Sequence, residues 1–172
     1  MEERQLIRKA KNGDTLAFAS LYEKIYKKLY QFAYYTLRNK EDAEDVVSDT
    51  VLDAFHSIKK LKSEDAFSSW IFCILSRKCK EKMRDYYRNE VELNTKYFTT
   101  ENSGTKMEDA IDVKEMLQEL PYEDRMIITM HIIFGYKTRE IAKALNMNEN
   151  TVRSRESRVL KKIGERWERE CV

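Results

Sequence analysis

Glycine and proline are nearly absent from this chain, with four glycines and one proline among 172 residues. Because these two residues supply most tight chain reversals, a barrel, a sandwich or another turn-rich β fold is not expected. Charged residues make up 36% of the chain and hydrophobic residues 42%, a mixture typical of surface-charged helices packed on modest cores. The sequence therefore predicts an all-α protein.

Apolar residues recur at helical spacing in both halves of the chain, and one irregular stretch separates them. Three helices are predicted in the first half, over about 16–37, 41–61 and from 66 onward. Between Asn89 and Glu108 the periodicity fails, and Thr, Asn, Ser and Gly are frequent. We therefore predict two small helical domains, residues 1–88 and 109–172, joined by a flexible linker over residues 89–108.

Residues 137–163 have the sequence of a helix-turn-helix motif. Ile141, Ala142 and Leu145 give a short helix its buried face, Asn146 suits a left-handed turn residue, and Asn148 is placed to cap a second helix. Arg can fork to guanine and Lys can neutralise phosphates, so the second helix suits duplex DNA. Its candidate contact residues are Asn150, Thr151, Arg153, Ser154, Arg155, Arg158, Lys161 and Lys162.

Two readings of that second helix stay open from the sequence. A solvated face of an ordinary helical hairpin is the alternative to a DNA-reading surface. Within the DNA reading, Arg153 and Arg155 lie about 200° apart on a helix, so only one of them can face the floor of a groove. The spacing does not choose between these two arginines.

A second basic stretch spans residues 77–88, where six basic residues accompany two acids and two tyrosines. Basic residues interleaved with aromatic ones suit single-stranded nucleic acid, because bases stack on the rings and phosphates are neutralised. A run of charge on a solvated helix face is the alternative. The candidate contacts are Arg77, Lys78, Lys80, Arg84, Tyr86 and Tyr87.

The opposite charge accumulates over residues 41–53, which hold six acids and no basic residue. Acids in a first turn stabilise a helix N-terminus, which is one explanation. The acids continue beyond that turn, so the stretch also suits docking against a basic protein surface. The candidate docking residues are Glu41, Asp42, Glu44, Asp45, Val46, Asp49 and Asp53.

No catalytic or cofactor motif accompanies these surfaces. His56 and His131 fall in different predicted domains, and a Gly-rich phosphate loop, an HExxH motif and a nucleophile elbow are all missing. The three cysteines form no CxxC pair. We therefore expect a non-enzyme with no cofactor, no metal and no small-molecule substrate.

The sequence also bears on location. No apolar run approaches the roughly 18 residues of a membrane span, and Met1–Arg4 lack the apolar core of a signal peptide. We expect a cytoplasmic protein without membrane insertion.

Together these segments resemble bacterial sigma factors of the sigma-70 family, in particular the extracytoplasmic-function subgroup. The family's core-polymerase-binding segment is similar to residues 41–61, EDAEDVVSDTVLDAFHSIKKL. The segment that melts and reads the minus-ten promoter element is similar to residues 66–88, which contain AFSSWIF and RKCKEKMRDYYR. The domain that reads the minus-thirty-five element is similar to residues 117–163, which contain LQELPYEDRMII and GYKTREIAKALNMNENTVRSRESRVLKKI.

The resemblance implies a factor that directs core RNA polymerase to specific promoters and promotes transcription initiation. Core RNA polymerase and promoter DNA are the implied partners, and an anti-sigma protein is a further one. The acidic helix would then bind core polymerase, residues 77–88 the minus-ten strand, and the C-terminal helix the minus-thirty-five duplex. Four positions depart from the family pattern. Arg77 stands where Asn is frequent, Lys137 where a Ser cap is usual, Asn146 where Gly is usual, and Glu156 where Leu is common.

Two other functions compete with this one. A stand-alone transcription regulator with a helical sensor domain would bind operator DNA as a dimer, but it has no need of the acidic stretch. A helical adaptor, or an anti-sigma-like protein, would bind no DNA, and the two separate basic stretches argue against it.

Overall fold

A computed structural model of the chain describes residues 2–93, 117 and 119–170, and these residues form seven α-helices and no strand. The helices are α1 (Glu3–Lys11), α2 (Thr15–Leu37), α3 (Lys40–Ser57), α4 (Phe67–Leu93), α5 (Tyr122–Ile128), α6 (Thr138–Leu145) and α7 (Glu149–Glu170). A π-helical turn, Thr129–Ile133, continues α5, and two 3-10 turns, Ile58–Lys60 and Glu64–Ala66, lie between α3 and α4. The prediction of an all-α protein is confirmed.

Local capping explains where the first long helices begin and end. The Asp14 carboxylate accepts a hydrogen bond from the Ala17 amide (2.9 Å) and starts α2. Arg38 ends α2 in the left-handed conformation, with φ of 61°. The adjacent Asn39 side chain accepts from the Asp42 amide (3.1 Å) and starts α3. A turn this short makes α2 and α3 antiparallel neighbours.

The first half packs α1 to α4 around buried aromatic rings. Phe32 of α2 and Phe72 of α4 contact each other at 5.4 Å between ring centroids, and both are fully buried. Helix α1, which the periodicity did not predict, buries Leu6 and Ile7 against this core. Leu16 was expected on the apolar face of α2 but is 79% exposed, because Phe18 faces inward and Leu16 lies about 200° around the helix from it.

The structure moves two predicted boundaries. Helix α3 ends at Ser57 and gives way to a 3-10 turn, whereas the sequence predicted a helix to Leu61. Helix α4 runs to Leu93, so the first five residues of the predicted linker are helical. The remainder of that segment lies outside the described residues.

The two halves of the chain share one hydrophobic core. A single cluster of buried residues includes Phe72 of α4 together with Ile141 and Leu145 of α6. The Phe72 ring also contacts the rings of Phe134 and Tyr136, at 5.8 and 5.7 Å between centroids. Helix α6 therefore lies against α4, and this contact joins the helix-turn-helix to the first half.

Candidate nucleic-acid and protein interfaces

Helices α6 and α7 form the predicted helix-turn-helix. At the start of α6 the Glu140 carboxylate accepts from the Lys137 amide (2.8 Å), and at its end Asn146 is left-handed with φ of 51°. The Asn148 side chain accepts from the Asn150 amide (2.9 Å) at the start of α7. Val152 is fully buried and fixes α7 against the core. These contacts confirm the motif.

The outer face of α7 presents most of the predicted duplex contacts to solvent. Exposed there are Asn150, Thr151, Arg153, Ser154, Arg158, Lys161 and Lys162. The Arg153 side chain is 64% exposed and pairs with Glu149 (3.0 Å) one turn earlier in the same helix. An exposed pair of this kind contributes little free energy, so Arg153 can exchange Glu149 for another partner.

Arg155 departs from the prediction of an exposed DNA contact. Its guanidinium donates to the Asp124 carboxylate (2.8 Å) and pairs with Glu123 (2.5 Å), both on α5, and its side chain is only 26% exposed. The hydrogen bond to Asp124 raises the pKa of Arg155. Arg155 therefore holds α7 against α5, and of the two arginines Arg153 is the one that faces outward.

Glu156 of α7 carries a carboxyl group and is nevertheless buried, with only 6% of it exposed. It accepts a hydrogen bond from the Thr138 hydroxyl (2.9 Å) at the start of α6. Its other oxygen lies 3.5 Å from Nδ1 of His131 in the π-helical turn. The carboxylate thus links three consecutive elements, and spacing alone gave no signal for this role.

The acidic stretch of α3 divides into two sets. Asp42 pairs with Lys82 (2.6 Å) and Asp53 with Lys78 (2.9 Å), and both lysines belong to α4. The hydrogen bond from Lys78 lowers the pKa of Asp53. These two acids therefore help pack α3 on α4, which the sequence did not reveal. The other acids are exposed and form no ion pair within the described part of the chain: Glu41, Glu44, Asp45 and Asp49.

Val46 was predicted to belong to the docking face, but only 6% of it is exposed. Its side chain is buried in the core cluster, because it lies one helical turn from Ala43 and from Thr50, which are also buried. Val46 contributes packing between helices rather than a contact surface.

The basic stretch of α4 is also divided. Arg77, Arg84 and Tyr87 are exposed, and the Tyr87 ring lies 6.4 Å from that of Tyr122. Arg77 also lies 3.9 Å from the Asp53 carboxylate. The other three candidates have closer partners. Lys78 pairs with Asp53, the Lys80 ammonium donates to the Leu145 carbonyl (2.9 Å), and the Tyr86 hydroxyl donates to Asp42. Burial and the bond to Asp42 raise the pKa of Tyr86.

Comparisons with known proteins identify the family of the chain. The sequence matches the family descriptions "Sigma-70 region 2" over residues 21–89 and "Sigma-70, region 4" over residues 110–163. It is 30% identical over 133 residues to the RNA polymerase sigma factor SigV of Bacillus subtilis, which covers 77% of this chain and 80% of SigV. It is 29% identical over 143 residues to the ECF RNA polymerase sigma factor SigM of Mycobacterium tuberculosis, which covers 83% of this chain and 73% of SigM.

A solved structure shows the same fold. The sigma factor RpoE of Bartonella quintana, crystallised with the anti-sigma factor NepR, superposes with a TM-score of 0.71 at 22% identity, covering 86% of this chain and 94% of RpoE. With the matches in sequence, this defines the class: the chain belongs to the sigma-70 family of RNA polymerase sigma factors. Within it, the chain is a factor of the extracytoplasmic-function (ECF) subgroup. None of its described helices is long and apolar enough to cross a bilayer.

Proposed function

We propose that this chain is a dissociable specificity subunit of bacterial RNA polymerase, which directs the core enzyme to particular promoters and promotes transcription initiation. The observation that carries the proposal is the pairing, in one chain, of a basic helix-turn-helix with a separate exposed acidic surface on α3. A stand-alone operator-binding regulator needs the first of these surfaces and has no use for the second.

Each surface takes one role in this proposal. Asp45 and Asp49, with Glu41 and Glu44 beside them, bind a basic surface of core polymerase by charge complementarity. The exposed outer face of α7 reads the minus-thirty-five duplex, with Arg153 near the helix N-terminus, where a recognition helix reaches base edges. The phosphate contacts further along α7 supply affinity without sequence preference.

The minus-ten role belongs to the basic and aromatic residues of α4. Arg77, Arg84 and Tyr87 are already exposed, and they suit an unstacked strand because rings stack on bases and cations neutralise phosphates. Lys78, Lys80 and Tyr86 complete the predicted set, and each must leave its present partner before it contacts DNA. The minus-ten contact therefore involves local rearrangement of α4's neighbours.

The remaining parts of the proposal follow from the family. The Bartonella quintana relative was crystallised with an anti-sigma factor, and we propose a protein of that kind as a partner of this chain. We further propose that the chain works in the cytoplasm, where the polymerase and the chromosome are, and that it performs no catalysis itself.

Run-off transcription tests the proposal. Purified core polymerase is incubated with a pool of templates carrying randomised promoter regions, with and without this chain, and the transcribed templates are sequenced. We expect transcripts that depend on the chain and share two conserved elements upstream of the start. Transcription that is no greater than with core polymerase alone, together with no co-purification of the chain with core, would overturn the proposal.

A further inference from the structure

A cavity of about 280 Å³ lies between the end of α2, the second half of α4 and the start of α5. Three of its lining residues are charged and three are tyrosines, and the others are apolar. The charged and aromatic ones are Arg38, Glu119, Arg125, Tyr86, Tyr87 and Tyr122. Small-molecule sites typically occupy about 300–1,000 Å³ and combine aromatic walls with a few polar groups. The cavity is near the lower end of that range, so it suits a small ligand.

Arg125 brings a buried positive charge to this cavity. It is 6% exposed, and two of its guanidinium nitrogens donate to the carbonyls of Leu120 (2.6 Å) and Thr36 (2.8 Å). Its Nε atom is buried and has no acceptor, and no acid in the described part of the chain forms an ion pair with it. Burial, and then the charge of Arg38, lower the pKa of Arg125 to about 10. Because buried charges are normally paired, an anion in the cavity would supply the missing counter-charge.

Arg38 adds a second guanidinium to the lining of the cavity. One acid, the exposed Glu119, also lines it, so two arginines and one glutamate give the lining a net charge of +1. Guanidinium groups match the oxygens of phosphate in geometry as well as in charge. A phosphate monoester carries nearly two negative charges at neutral pH, which suits a pair of arginines. The charged part of the cavity therefore fits a phosphate group.

The tyrosines form the aromatic part of the same cavity. The Tyr87 ring of α4 lies 6.4 Å from the Tyr122 ring of α5, and the Tyr87 side chain is 49% exposed. The Tyr86 hydroxyl is bonded to Asp42, so its ring rather than its hydroxyl is available as a wall. Nucleobases stack on such rings with little preference for one base over another. The cavity thus matches both ends of a nucleotide, the phosphate and the base.

We infer that this cavity binds a free nucleoside monophosphate, with the phosphate against Arg125 and Arg38 and the base on the tyrosine rings. The ligand is bound and not converted, so the inference adds a small effector to the proposed function and does not depend on it. Because the ligand contacts α2, α4 and α5 together, its binding stabilises the folded chain. The end of a DNA strand carries the same chemistry, and the experiment separates these two sources.

Isothermal titration calorimetry and thermal unfolding of the full chain test the inference. AMP and CMP are the ligands used, because stacking accepts either base. We expect saturable binding of one nucleotide per chain and a rise in the unfolding midpoint with nucleotide concentration. Adenosine and inorganic phosphate each engage only one part of the cavity, so each should bind at least ten-fold more weakly than AMP.

Variants of the lining locate the site. Arg38→Gly removes one cation and keeps the backbone relaxed, because Arg38 has a φ of 61° that glycine adopts readily. Tyr122→Leu removes one ring and keeps an apolar side chain. Each should weaken AMP binding roughly ten-fold, as the loss of one charge-assisted hydrogen bond or one stacking contact implies. The matched controls, Arg139→Ala and Tyr26→Leu, alter exposed residues of α6 and α2 and should bind AMP as the wild type does.

Arg125→Met removes the buried cation and should weaken AMP binding by ten-fold or more, with circular dichroism as the check on folding. Arg38→Gly decides the question if Arg125→Met does not fold. An absence of saturable nucleotide binding at millimolar concentration, or an equal loss in the variants and their controls, would overturn the inference. A single-stranded oligonucleotide that binds more tightly than AMP and loses affinity in Arg38→Gly would overturn it too, because the cavity would then belong to DNA. These titrations use the chain alone, so their outcome is independent of the transcription assay.

Discussion

Replacing Glu156 by alanine should destabilise the chain by about 2–3 kcal/mol. The substitution leaves the half-buried Thr138 hydroxyl without its acceptor, and a hydrogen bond to a charged group contributes about 1.5–3 kcal/mol. Removing a buried carboxylate also recovers part of its desolvation cost. The net loss of unfolding free energy is therefore smaller than for most large-to-small substitutions in a core. Glu156→Gln keeps an oxygen that accepts from Thr138, so we expect a loss of about 1 kcal/mol or less.

Urea unfolding followed by circular dichroism measures these free energies, and thermal unfolding checks them, because 1 kcal/mol shifts the midpoint by about 2–4 °C in a chain of this size. Glu165→Ala is the matched control, since Glu165 is an exposed residue of the same helix. Equal losses for Glu156→Ala and Glu156→Gln, or an alanine variant as stable as the control, would show that the contact with Thr138 is not what stabilises this site.

Three further predictions concern the surfaces. Asp45→Lys with Asp49→Lys should weaken binding to core polymerase in a pull-down while leaving the fold intact, and unchanged affinity would place the docking surface elsewhere. Arg153→Ala should reduce the binding free energy by about 1–3 kcal/mol at the preferred upstream element and little on scrambled DNA. Equal losses on both DNAs would show that Arg153 contributes only its charge. Arg155→Ala should instead lower the unfolding midpoint, because it removes the ion pair with Asp124. Tyr87→Ala should slow promoter melting in permanganate footprints, since stacking contributes roughly 1–3 kcal/mol per base, and unchanged opening kinetics would remove Tyr87 from the mechanism.

The helix-turn-helix was predictable because its signals are local. The residues that define it lie within a few positions of one another: the left-handed Asn146, the Asn148 cap and the buried Val152. Each of them determines the structure of its own turn of the chain. The same holds for Asp14 at the start of α2. Spacing and capping chemistry are sufficient for such features.

The contacts that divide the candidate surfaces were not predictable in this way. Lys80 donates to the Leu145 carbonyl, 65 residues away, and Arg125 donates to the Thr36 carbonyl, 89 residues away. Helical periodicity contains no information at that range. The pairing of Asp42 and Asp53 with α4 was missed for the same reason, because it depends on which helices pack together. Val46 was expected at the surface because acids surround it in the sequence, whereas the packing of α3 buries it.

The shared core has a consequence for the lifetime of the protein in a cell. When α6 leaves α4, apolar side chains such as Phe72 and Ile141 lose their cover, and exposed apolar patches invite aggregation and proteolysis. Proteases act on the transiently opened form in proportion to its population when reclosing is fast. The abundance of the free chain should therefore follow the stability of the contact between α4 and α6, and a partner that covers α4 should prolong the chain's survival.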